Sequence, residues 1–105
     1  MYKVRASDTA EADLVQIRDY LLNELYNPLA VENLFSAIRR AYATLTVEPY
    51  AFEACADPRL RRKGYRKCVV KNYLFIYRVE ELSGDEGIVH IVRFFHGSQN
   101  YIAQL

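Results

Sequence analysis

The chain is predicted to be an α+β protein of order β-α-α-β-β-β, a helical hairpin packed on one face of a small, mainly antiparallel sheet. Three observations predict it. Apolar residues recur at helical spacing through the first half, then alternate as in strands once residue 62 is passed. Between the two regimes, residues 49–62 keep no period and hold two prolines. Finally, 105 residues without an internal repeat or a Pro/Gly-rich linker leave room for one core, so residues 1–105 are expected to form a single domain.

Each element has its own signal. Tyr2, Val4 and Ala6 alternate with Lys3 and Arg5, a short first strand with the apolar set turned inward. Ser7 and Asp8 offer N-caps, and Asp8 with Glu11 has the spacing of a capping box. Leu14, Ile17, Leu21 and Leu25 carry the first helix to about Glu24 or Tyr26. Asn27-Pro28 stops it and starts the next, Asn as N-cap and Pro where its missing N–H is harmless. Val31, Leu34, Phe35, Ile38, Tyr42 and Leu45 then hold the helical period down to Pro49. The short connection makes the two helices antiparallel. Residues 49–62 read as a loop with one helical turn near Ala51–Cys55. Strands are expected at Tyr65–Val70, Tyr73–Glu80 and Ile88–Phe95, the first two joined by a tight turn in which Asn72 tolerates positive φ. The run YLFIY is apolar on both faces and so central, which leaves the face away from the helices open for function.

Composition narrows the function classes. With 51% hydrophobic and 26% charged residues, the chain is a folded globular protein and not a disordered one. The charged N-terminus does not read as a signal peptide, and no apolar run approaches the ~20 residues of a membrane span. A soluble, cytoplasmic protein with no membrane partner is expected. Cys55 and Cys68 have no partners at metal-ligand spacing, and they read as inert buried thiols. No metal, cofactor, phosphate-binding glycine loop or nucleophile elbow is indicated.

The formal net charge of +1 hides an asymmetry. Residues 1–57 carry five basic and nine acidic side chains, residues 58–105 nine basic and four acidic. Eight of the basic residues fall between Arg59 and Arg78 with no acid among them, a cationic strip suited to a polyanion. Arg61, Arg62, Lys63, Arg66, Lys67, Lys71 and Arg93 are the candidate nucleic-acid ligands. A solvated edge that guards against aggregation is the other reading of the strip. Strand alternation puts Arg78 with Leu74 and Ile76, Arg93 with Val89 and Ile91, and His96 with His90, Val92 and Phe94. RNA cleavage by a 2′-hydroxyl needs a base, cations around the phosphate, and an acid for the leaving oxygen. Arg78, His96 and Tyr101 are the candidates for that chemistry, His96 because imidazole ordinarily titrates nearest neutrality. His96 and Tyr101 also suit packing roles, and His90, in mid-strand, reads as structural.

The phrases GYRKCVVKNYLFIYRVEE and VRFFHGSQNY, with the opening YKVRASDTAEADLVQIRDYL, resemble the RelE/ParE toxins of bacterial type II toxin–antitoxin modules. The likeness spans essentially the whole chain. It implies a RelE/ParE-like α+β fold and a cognate antitoxin as partner. RelE-like members cut mRNA in the ribosomal A site without a metal, so the resemblance implies a ribosome-dependent mRNA endonuclease with Arg66, Lys67, Arg78, His96 and Tyr101 in the working roles. ParE-like members act instead on DNA gyrase, which is the alternative. A toxin-derived binding module without activity is the third. Two departures stand out: Ser98 and Gln99 occupy the place where many relatives have two basic residues, and Leu74 stands where several ribosome-dependent members carry arginine.

Overall fold

The computed structural model describes residues 1–105. Strand β1 (Tyr2–Ala6) leads into helix α1 (Asp8–Asp19), which widens into a π-helical turn at Tyr20–Glu24. Helix α2 (Pro28–Val47), a short α3 (Pro58–Arg62), strands β2 (Arg66–Val70), β3 (Tyr73–Ser83) and β4 (Glu86–His96), and a last turn α4 (Tyr101–Gln104) complete the chain. The sheet order is β1-β4-β3-β2. Strands β2, β3 and β4 pair antiparallel, and β1 lies parallel to β4. The expected α+β architecture and the interior position of β3 are both present.

The caps explain the helix boundaries. Ser7, not Asp8, caps α1: its side chain accepts from the Ala10 N–H while its hydroxyl donates to the Val92 carbonyl, 2.9 Å away. One residue thus starts the helix and ties it to β4. Asn27 caps α2 through the Ala30 N–H, with Pro28 at the first helical position. In the β2–β3 turn the residue with positive φ is Lys71 (φ 55), not Asn72. The helical turn expected at Ala51–Cys55 lies instead at Pro58–Arg62, because Asp57 caps it by accepting from the Arg59 and Leu60 N–H groups. Residues 53–55 are extended along the outer edge of β2, where Ala54 bridges Arg66.

Two apolar clusters lie on opposite faces of the sheet. The larger joins Leu21, Leu34, Ile38 and Leu45 of the hairpin to Phe75, Tyr77, Val89, Ile91 and Phe94. The second joins Leu74, Ile76 and Phe95 to Cys55 and Leu60, with Tyr65, Val92, Tyr101 and Leu105 packed against it. The face expected to be open is therefore closed over half its length by α3 and α4. The geometry of β4 requires Gly87, since a Cβ there would stand 2.6 Å from the Tyr2 ring and 2.3 Å from the Glu80 carbonyl oxygen. No helix is long and apolar enough to cross a membrane.

Candidate functional site

A bulge in β4 decides which way its side chains point. Ile76 pairs with Arg93 but Tyr77 pairs with Ile91, so Val92 is the extra residue and the alternation restarts after it. Arg93 consequently shares the second face with Phe95, over whose ring its guanidinium lies at 4.9 Å, and not the face of Val89 and Ile91. His96 pairs with Tyr73 on the helix side, with Phe94, while His90 and Val92 are on the other side. Simple alternation through the whole strand misplaces these residues because one inserted position flips every later one.

The cationic strip is divided among separate tasks. Arg66 donates from Nε to the Phe52 carbonyl at 2.9 Å and from Nη2 to that of Tyr50 at 3.3 Å, pinning the 49–56 loop. Arg59 holds the C-terminal end of α4 through the Ile102 and Leu105 carbonyls. Lys67 lies 3.8 Å from Glu53 and 5.9 Å above the Tyr101 ring. Arg93 forms a bidentate pair with Asp13 at 2.7 and 3.1 Å, and the same carboxylate accepts from the Phe94 N–H. That carboxylate holds the guanidinium charged, above the ordinary arginine range. Arg61, Arg62, Lys63 and Lys71 are exposed and form no ion pair.

His96 sits in a tight turn built by Ser98 and Gln99. Gln99 accepts from the His96 N–H at 2.7 Å, and the Ser98 N–H and hydroxyl both meet Nδ1, at 3.1 and 2.7 Å. With a backbone N–H donating to it, Nδ1 is an acceptor and the ring proton belongs on Nε2. The ring stacks edge-on against Tyr73. Beside it a cleft of about 560 Å³ is lined by Asp13, Tyr20, Tyr73 and Arg93. Tyr101 packs on Phe95 in the second cluster, away from the Tyr73 side. Arg78 is five positions along β3 from Tyr73, about 16 Å at ordinary strand rise. Arg78, His96 and Tyr101 are thus not brought to one point.

A different set does converge. On the uncovered half of the second face, Arg5 of β1, His90 of β4 and Arg78 of β3 stand side by side across three strands. His90 Nε2 is 2.7 Å from Glu80 Oε1, a contact that holds the Glu80 carboxyl below its ordinary range, with Arg78 and Arg5 adding to the effect. Arg5 and Arg78 are exposed and have no carboxylate partner. Sequence reasoning set His90 aside and passed over Arg5. Only the parallel pairing of β1 with β4 puts Arg5 beside His90, and nothing local signals that pairing.

Both cysteines are free and buried, and burial pushes the Cys68 thiol up to about 11 and raises that of Cys55. No cluster of metal-binding side chains occurs.

The helical hairpin on a four-stranded sheet is an α+β architecture of the RelE/ParE-like kind. Residues 4–101 match the family described as the ParE toxin of the type II toxin–antitoxin system parDE. The chain belongs to that family, which implies a cognate antitoxin as its partner. Among solved structures it is similar to one described as the chromosomal ParDE TA system from P. aeruginosa, with a TM-score of 0.63 and 20% identity over 91% of this chain and 96% of that one. At that identity the likeness is one of fold. No curated protein matches.

Proposed function

We propose that this toxin acts on DNA gyrase in the cytoplasm and does not cleave mRNA. The observation that carries this reading is the dispersal of the nuclease candidates, with His96 on the Tyr73 side, Tyr101 in the second cluster and Arg78 far along β3. A general base must reach the proton it removes, and a cation must reach the same phosphate. His96 is also tied into its own turn, where Nδ1 meets the Ser98 N–H and hydroxyl. Of the other candidate phosphate ligands, Arg66 and Arg93 are engaged by backbone carbonyls and by Asp13, while Lys67 and Lys71 line a cleft with His96. Membership of the ParE family supports the same reading. The antitoxin is proposed to lie across the hairpin or the sheet edge, where Leu25, Tyr26 and Leu29 expose apolar surface at the hairpin tip.

The test is induced expression in bacteria without the antitoxin, paired with a gyrase supercoiling assay on the purified chain. Filamentation with an SOS response and loss of supercoiling are expected. Rapid arrest of protein synthesis with gyrase untouched would restore the ribosomal reading.

A further inference from the structure

We infer that the uncovered half of the second sheet face, centred on Arg5, His90 and Arg78, binds the phosphodiester backbone of duplex DNA. The inference deepens the gyrase reading, because a gyrase inhibitor works beside enzyme-bound DNA, but the contact is testable with no gyrase present. Neighbouring strands lie about 4.8 Å apart, so the row sets three cationic or hydrogen-bonding groups across about 10 Å. Lys3 adds a fourth basic group on the same side of β1, paired with Ile88. The nearest carboxylate, that of Glu80, is hydrogen-bonded to His90 and attracts Arg5 and Arg78 only at longer range, so neither guanidinium forms an ion pair. Both guanidinium groups are exposed and free to meet an external anion.

The character of the patch selects the kind of polyanion. Single-stranded nucleic acid is gripped largely by stacking its bases on aromatic side chains. The patch residues Lys3, Arg5, Arg78, Glu80, Ile88 and His90 include no Phe, Tyr or Trp, and the one imidazole is pinned to Glu80. A flat row of arginines without a stacking platform suits backbone contacts to a duplex.

The experiment is fluorescence anisotropy of a labelled 20-base-pair duplex titrated with the purified full-length toxin at 50 to 200 mM salt. With His90 paired to Glu80, the three phosphate contacts of Lys3, Arg5 and Arg78 predict a slope of about −2.7 in log K against log salt, or roughly 40-fold weaker binding across that range. The double variant Arg5→Gln/Arg78→Gln removes two contacts, and its slope is expected near −0.9. Lys3→Gln/Arg78→Gln gives the same reading should the first pair disturb folding. Arg39→Gln/Arg40→Gln on α2 is expected to keep the full slope. An unchanged slope in the row variants, an equal loss in the α2 variant, or no salt-dependent binding at all overturns the inference. So does tighter binding of single-stranded RNA of the same length, or failure of an excess of duplex to compete with an acidic peptide for the patch. Supercoiling is read in a separate assay, so DNA binding without gyrase inhibition would sink the gyrase reading and leave the contact standing.

Discussion

Ile76 and Arg78 share one face of one strand, two residues apart, and have opposite fates. Ile76 is fully buried, whereas Arg78 is exposed and unpaired. The strand does not change between them; the cover does. Over Leu74, Ile76 and Phe95 the chain lays down α3 and α4, held by Asp57 at the start of one and Arg59 at the end of the other. Beyond Ile76 no segment crosses, and the face carries Arg5, His90, Arg78 and Glu80 instead. A sheet face is thus closed or functional according to what distant segments do, and this molecule divides one face between the two uses.

The comparison breaks most easily at its closed half. Phe95→Ala should cost about 3–5 kcal/mol, the usual loss for a buried aromatic that leaves a cavity. Urea unfolding measures it. A loss below about 1 kcal/mol would mean that α3 and α4 merely rest on the sheet and that both halves are effectively open.

A smaller loss is expected at the border. Asp13 ties Arg93 and the Phe94 N–H to α1 just past the bulge that turns Arg93 to the second face. Asp13→Ala should destabilise by about 1.5–3 kcal/mol, the range for hydrogen bonds to a charged group. If thermal unfolding is unchanged, the phase of β4 is set by the bulge alone.

The open end is fastened by a second device, in which Glu81 accepts from the hydroxyls of both Tyr2 and Tyr50. These bonds lower the Glu81 carboxyl and push Tyr2 up to about 12. The depressed carboxyl stabilises the fold fully above the ordinary carboxylate range, and that contribution fades as pH falls through its lowered value. The raised Tyr2 hydroxyl stabilises fully below the ordinary tyrosine value, and its share fades as pH climbs toward about 12. Tm against pH should therefore fall on both limbs, and Glu81→Gln should flatten both. Limbs equally steep in the variant would assign them to other groups.

The least effect belongs to the open row. Arg78→Ala should shift stability by no more than about 0.5 kcal/mol, as for surface positions without partners. A larger loss in urea unfolding would show Arg78 to be structural after all, and the two halves would differ less than their exposure suggests.

Much of this was legible in residue order. Period and caps placed both helices, Asn27-Pro28 marked their junction, and the doubly apolar YLFIY run announced an interior strand. These are local effects, governed by side-chain spacing of 3.6 or 2 and by backbone groups that need a nearby partner. The sequence also determined the cationic excess of the second half, since charge is simply counted. What it could not determine was where each charge would go. The bulge at Val92 inverted the faces of Arg93 and of every later residue, because one unpaired position shifts a period of two by half. Arg66 and Arg59 were spent on carbonyls 14 to 46 residues away, Arg93 on a carboxylate 80 residues away. Arg5, His90 and Arg78 met only because β1 joined the sheet beside β4. Pairing, cover and ion partners between remote segments are settled by the closing of the whole core, and only the tertiary structure decides them.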